Sequence, residues 1–173
     1  SIGPNSSFLP DLDYDGYYPS DQLYKTITYD ENNENSAVRG SVVEYKDKLG
    51  RVVLKRHYSS VSGRTSTPDP NPSIELDTYY VYDDFGNLAI VLSPKASELI
   101  VDGSSLASNH QALLDELGYQ YSYDHRNRLV RKKLPGKDVE YIAYDPLDRP
   151  IATGPVLSPF GDGSEGWLRT KYD

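Results

Sequence analysis

A net charge of -8 over 173 residues argues against a general nucleic-acid binder, because neutralising phosphates takes clustered cations. The absence of cysteine excludes disulfides and thiolate metal sites, and no apolar run approaches the roughly 18 residues a membrane-crossing helix needs. Sixteen tyrosines against three phenylalanines and no methionine, with 12 prolines and 13 glycines, favour half-buried strands joined by many turns.

In chain order, residues 1–22 read as an acidic N-terminal linker. Within it, Asp11, Asp13 and Asp15 alternate ahead of Gly16, as carboxylates do at the start of a calcium loop. The twelfth position is Gln22 rather than glutamate, and no flanking helices are evident, so the loop is incomplete and a solvated linker is the simpler reading. From residue 23 a short motif recurs. A looser copy runs Tyr45-Lys46-Asp47-Lys48-Leu49-Gly50-Arg51-Val52, and Tyr29-Asp30 reads as a decayed one. Residues 59–75, rich in serine, threonine and proline, read as an exposed loop insert.

The next copy is Tyr82-Asp83-Asp84-Phe85-Gly86-Asn87-Leu88. A helical insert is expected over 93–118, where Leu106, Ala107, Leu113, Leu114 and Leu117 suit one short amphipathic helix near 106–117 that stops at Gly118. Its apolar side is expected to cover part of a sheet. Two more copies come without an insert, Tyr123-Asp124-His125-Arg126-Asn127-Arg128-Leu129 and Tyr144-Asp145-Pro146-Leu147-Asp148-Arg149-Pro150, and Tyr172-Asp173 opens another. Residues 161–166 have dinucleotide-loop glycine spacing, but the segment from Trp167 onward reads as a strand rather than the helix such a loop requires.

Each part of the motif has a physical role. The tyrosine ends an incoming strand, as in Tyr119, Tyr121 and Tyr123, which lie two apart and share one sheet face. The aspartate starts a turn by accepting backbone hydrogen bonds, and a following glycine or asparagine (Gly50, Gly86, Asn127) supplies a left-handed conformation. A leucine or valine then begins the return strand, which makes the motif a β-hairpin. The stretch 119–153 is therefore expected to form a four-stranded meander with a further turn at Pro135-Gly136-Lys137. Isolated hairpins are marginal in water, so the units must stack on neighbours. The expected fold class is all-β, mainly antiparallel, with consecutive hairpins over 23–173 forming a curved or spiralling sheet.

Through YYVYDDFGNL, YSYDHRNRLVRKKLPGKDVEYIAYDPLDRP and GWLRTKYD, the chain resembles the rearrangement-hotspot (Rhs) or YD-repeat family over about residues 23–173. The resemblance implies a segment of a large bacterial secreted or cell-surface protein. In that family the repeats wind into a hollow β-shell, often around a toxic C-terminal effector. Its partners would then be the rest of the shell and the enclosed segment. With no methionine even at Ser1 and a motif opening at Tyr172, the chain reads as a piece of something longer, truncated at its C-terminus, with any export signal elsewhere. Family shells usually end in an Asp-Pro-x-Gly core with self-cleaving aspartates. Asp145-Pro146-Leu147-Asp148 matches that only superficially, so autoproteolysis and toxicity are not carried over.

No reactive set is expected. His57, His110 and His125 sit in different elements without metal-ligand spacing, and no serine occupies a nucleophile elbow. No cofactor is expected, nor any membrane insertion. The cluster Arg126, Arg128, Arg131, Lys132, Lys133 and Lys137, free of acidic residues, suggests a glycan-binding hairpin in which tyrosines stack on sugars. The plainer reading pairs these cations with Asp124, Asp138 and Glu140. A glycosidase built on Asp83, Asp84 and Glu140 would need carboxylates to converge, which spacing does not establish.

Overall fold

A computed structural model of the chain describes residues 10, 12, 16, 18–29, 40–60, 73–102, 105–157 and 165–172. The elements in order are β1 (Tyr24–Tyr29), β2 (Ser41–Lys46), β3 (Val52–Ser60), β4 (Ser73–Tyr82), β5 (Leu88–Leu92), α1 (Pro94–Ile100), β6 (Val101–Asp102), β7 (Ser105–Leu106), α2 (His110–Leu117), β8 (Gly118–Tyr123), β9 (Leu129–Lys133), β10 (Glu140–Tyr144), β11 (Pro150–Leu157) and β12 (Glu165–Arg169). The fold is mainly antiparallel β, as its turn-punctuated, tyrosine-rich sequence leads one to expect. It divides into two compact units, Asp13–Val81 with Leu92–His110, and Ser1–Leu12 with Tyr82–Val91 and Gln111–Asp173.

In the first unit the strand order is β1-β2-β3-β4. Among the described residues strand β1 pairs only with β2, and all six of its residues are exposed, as befits an edge. Alternation decides what β2 buries: Ser41 and Val43 are each 2% exposed, while the intervening Val42 and Glu44 are half-exposed. Arg56 on β3 faces Asp77 on β4, and the guanidinium donates through Nε and Nη2 to the two carboxylate oxygens at 2.6 and 2.7 Å. Glu75 takes Nη1 at 2.8 Å, so one planar fork spans two residues of the neighbouring strand. Helix α1 starts at a Ser-Pro step, with Pro94 at a position where its missing N–H costs nothing. Ser97 Oγ donates to the Asp77 carbonyl at 2.9 Å, which ties α1 to β4.

In the second unit the order is β5-β8-β9-β10-β11-β12, so the expected meander over 119–153 is present as β8 to β11. Helix α2 is held against β8 and β9 by polar contacts. Gln120, fully buried, donates Nε2 to the Leu114 carbonyl at 3.3 Å and to Asp115 Oδ1 at 3.2 Å, and Lys133 reaches the Asp115 carbonyl. The Gly136 amide, in the turn between β9 and β10, donates to the Glu116 carbonyl at 3.0 Å. Leu114 is fully buried, as the amphipathic reading requires.

Three expectations need adjustment. The expected helix near 106–117 occupies only His110–Leu117, since Leu106 lies in β7, and a second helix, α1, went unread. Its seven residues are too short for a periodic signal, although Ser93-Pro94 marked its start. The insert expected at 59–75 is strand at both ends, with Ser59 opposite Ile74 and Ser60 opposite Ser73. The β-branched Ile74 favours the extended ladder there, and serine backbones can follow it by pairing with the neighbouring strand. Residues 61–72 lie outside the described residues, as do Asp11, Asp13 and Asp15 of the incomplete calcium loop, Asp30, residues 161–164, and Asp173.

Gly118 joins α2 directly to β8. A Cβ there would stand 2.8 Å from the Leu114 carbonyl oxygen, a backbone atom that cannot turn aside. Gly118→Ala is therefore expected to lower unfolding stability by about 1–3 kcal/mol, the usual range for overpacking a tight site, as measured by urea denaturation.

Candidate functional site

The motif residues build one turn four times. In the first, the Asp47 amide donates to the Arg51 carbonyl at 2.9 Å, and the Gly50 amide to the Asp47 carbonyl at 3.0 Å. Asp47 Oδ1 accepts the amides of Leu49 and Arg51, both at 2.9 Å, and Oδ2 accepts Arg51 Nε at 2.7 Å. Asp124 repeats this set with Arg126 and Arg128, and Asp145 with Leu147 and Arg149. Asp83 does the same with Phe85 and Asn87, the Asn87 side-chain amide standing in for the guanidinium at 3.1 Å. One carboxylate oxygen thus satisfies two amides that the sharp reversal leaves without strand partners, and the other binds the side chain four residues on.

Three residues after each aspartate the backbone is left-handed: Gly50 (φ 81°), Gly86 (φ 85°), Asn127 (φ 58°) and Asp148 (φ 63°). The sequence pattern marked the first three and missed Asp148, an aspartate where glycine or asparagine was sought; short side chains that bond locally tolerate this conformation. After the turn comes an extra residue in the return strand. Lys46 faces Val52 while Tyr45 faces Leu54, leaving Val53 bulged, and Val130 and Ile151 are bulged in the same way. This register also places the looser copy. Lys46 holds the strand-end position taken elsewhere by Tyr82, Tyr123 and Tyr144, and Tyr45 sits one residue earlier.

In the second unit three of the motif tyrosines reach back to an earlier turn. Tyr123 Oη donates to the Leu88 carbonyl at 3.0 Å, Tyr144 Oη to Leu129 at 2.8 Å, and Tyr172 Oη to Pro150 at 2.9 Å. Each acceptor is the first return-strand residue of the preceding turn. The arginine of that preceding turn lies over the same tyrosine ring, Arg128 at 4.8 Å from the Tyr144 centroid and Arg149 at 4.5 Å from that of Tyr172. The left-handed residues extend the connection. Asn87 Nδ2 donates to Asn127 Oδ1 at 3.1 Å, and Asp148 Oδ1 accepts Arg126 Nη1 at 2.7 Å and Arg128 Nη1 at 2.5 Å.

Hydrogen bonds from the Arg128 guanidinium, helped by the Arg128 and Arg126 amides, hold the Asp124 carboxyl down at about 2. The Arg149 amide chiefly, with its guanidinium, lowers Asp145, and at Asp47 burial pushes upward but is outweighed by the Arg51 amide and guanidinium. Burial raises the Tyr121 and Tyr123 hydroxyls.

The six-cation cluster is spread over different surroundings. Arg126 and Arg128 belong to the turn connections, Lys132 pairs with Glu140 at 3.2 Å, Lys133 caps the end of α2, and Arg131 lies 5.8 Å from the Tyr141 centroid. Lys137 is exposed in the Gly136 turn. Asp148, rather than Asp138, joins Asp124 and Glu140 as a carboxylate partner, and Lys133 uses the Asp115 backbone carbonyl instead. Asp83 is committed to its turn, Asp84 is exposed, and Glu140 is ion-paired. His57 lines a shallow groove with Leu76 and Thr78, His110 Nδ1 meets the Ala107 carbonyl, and His125 is exposed in a turn. Among the described residues no group of histidines and carboxylates has the arrangement of a metal site.

No family model and no curated protein matches the chain. Among solved structures it is similar to one titled "Crystal Structure of TcdB2-TccC3-TEV", at 16% identity and a TM-score of 0.48, over 65% of this chain and 5% of that one. The chain therefore spans a small fraction of that structure's chain.

This geometry has two measurable consequences. Because the folded Asp124 carboxyl titrates at about 2, below the roughly 3.9 of an unfolded aspartate, its contribution is complete above pH 4 and is lost as pH falls through 2. Hydrogen exchange at the Arg126 and Arg128 amides is expected to lose protection over that acid window, and Asp124→Asn to remove the step. Tyr144→Phe keeps the ring under Arg128 but deletes the bond to Leu129, and should cost about 1 kcal/mol in urea denaturation.

Proposed function

We propose that the chain is a non-catalytic structural segment of a large protein of the Rhs or YD-repeat type, contributing strands to a β-shell that encloses or displays a C-terminal effector. The observation that carries this reading is the commitment of the motif side chains. Each repeated aspartate of the four described turns is used inside its own turn, Tyr123 and Tyr144 bind the turn before their own, and Tyr172 binds the Asp145 turn. Residues engaged this way serve propagation of the repeat, since a hairpin that is marginal alone gains stability from the next. The Rhs-like motifs supply the remainder of the reading, including secretion or surface display and the role in toxin delivery or competition between cells. Partners under this reading are the neighbouring repeats and the enclosed segment.

The experiment is protease protection in the longer protein. A C-terminal segment is expected to survive protease while the repeats are intact, and to be degraded when Asp124→Ala and Asp145→Ala are combined to open two adjacent turns. Degradation at the same rate in the intact protein and in the isolated segment would sink the shell reading.

A further inference from the structure

Strand β1 is an edge with few of the features that keep sheet edges from pairing. Among the described residues it meets β2 alone, in an unbroken register from Tyr24 opposite Lys46 to Tyr29 opposite Ser41, with no bulge to turn it aside. Its sequence, Tyr24-Lys25-Thr26-Ile27-Thr28-Tyr29, holds no proline and a single charge, and its middle is a β-branched run. Every residue of it is exposed, Ile27 at 41%. The outer side of such a strand carries amides and carbonyls at alternate residues, which one more strand would satisfy. Strand β12, the last in the second unit, is built differently. Its pairing with β11 is irregular between Thr153 and Val156, Gly166 lies within it, and Glu165 and Arg169 put a charge at each end.

The sequence of β1 complements itself when two copies run antiparallel about a two-fold axis perpendicular to the sheet. That symmetry keeps each sheet face on its own side, so even-numbered residues meet even-numbered ones and odd meet odd. With the axis through Ile27, Ile27 meets its own copy, Thr26 meets Thr28, and Lys25 meets Tyr29. Each is a favourable cross-strand pair: isoleucine with isoleucine, hydroxyl with hydroxyl, and an ammonium beside a tyrosine ring. Lys25 lies 5.9 Å from the centroid of Tyr45, its neighbour on β2, so a second ring would flank it from the other side. Moving the axis to Thr26 sets Lys25 against Ile27, and moving it to Lys25 sets lysine against lysine.

We propose that two copies of this chain associate through β1, antiparallel and centred on Ile27, so that the β1-β2-β3-β4 sheets of the two first units run into one another. A second copy fits better than an unrelated extended peptide, because the register that satisfies the edge also gives each side chain from Lys25 to Tyr29 a suited counterpart. Pairing of β1 with β12 of another copy would set a regular strand against an irregular one, and would build an open chain rather than a closed dimer. A seam one short strand long falls below the roughly 800 Å² per side of a stable interface, so the expected dissociation constant is about 1–100 µM. The inference concerns this edge alone and does not rest on the shell reading.

The chain contains no cysteine, so a single introduced thiol reports on one position. Directly opposed residues of antiparallel strands have Cα atoms about 4.5–5.5 Å apart, inside the roughly 4.4–6.8 Å that a disulfide spans. Ile27→Cys is therefore expected to cross-link into a dimer when treated with oxidised glutathione. Lys25→Cys, about 14 Å from its copy in this register, should cross-link about tenfold less, as should Leu147→Cys, exposed in the other unit. Sedimentation equilibrium of the 173-residue chain over about 1–200 µM should follow a monomer–dimer equilibrium. Ile27→Lys, which sets two ammonium groups on the axis, should raise the dissociation constant about tenfold or more. Should that variant fail to fold by circular dichroism, the cysteine variants decide. A monomer at every concentration, growth beyond the dimer, equal cross-linking by Ile27→Cys and Lys25→Cys, or faster cross-linking by Thr26→Cys overturns the proposal.

Discussion

The structure depends on a carboxylate oxygen that accepts two backbone amides at once. A chain that reverses within a few residues leaves N–H groups pointing where no neighbouring strand can meet them, and leaving such a group unsatisfied when it is shielded from water costs about 1–3 kcal/mol. Asp47, Asp83, Asp124 and Asp145 each resolve this with one side chain, and the second oxygen anchors the residue where the return strand begins. Glutamate is longer by a methylene and asparagine offers one oxygen instead of two, so neither reproduces the full set. The bulge in the return strand comes at the same offset after the Asp47, Asp124 and Asp145 turns.

Bonds between successive turns are of a different kind. The arginine–carboxylate contacts are partly or well exposed, with Arg126 and Asp148 at 50% and 54%, and exposed ion pairs contribute about 0–1 kcal/mol each. Their value lies in register. A tyrosine hydroxyl must find one particular carbonyl, and an arginine must lie over that same ring while holding its own aspartate. A strand shifted by one residue would place the ring on the opposite face and lose every one of these contacts together. The left-handed position has a double use here: Asn127 and Asp148 accept strain that glycine would avoid, and in return offer an oxygen to the preceding turn.

Much of this was legible in the residues. Asp-x-x-Gly and Asp-x-x-Asn between alternating segments specify a hairpin because the chemistry is local, confined to a few consecutive residues. Asp148 departs from the pattern because a third residue type meets the same backbone demand, and in the looser copy the tyrosine stands two residues before the turn aspartate instead of one. Helix α1 was missed because seven residues carry too little periodicity, while its fixing contact, Ser97 to the Asp77 carbonyl, joins residues 20 apart in sequence.

The hairpins, their turn positions and the mainly antiparallel class can be read from the residues alone, since these arise from side chains bonding to backbone within four or five residues. Which turn a tyrosine binds, how the cations divide between ion pairs and aromatic rings, and the meeting of Tyr141, Gly154 and Trp167 across three strands emerge once the chain is folded. Those arrangements rest on strand order and register, which bring residues from distant parts of the chain into contact and are set by the packing of the whole rather than by any short run of residues.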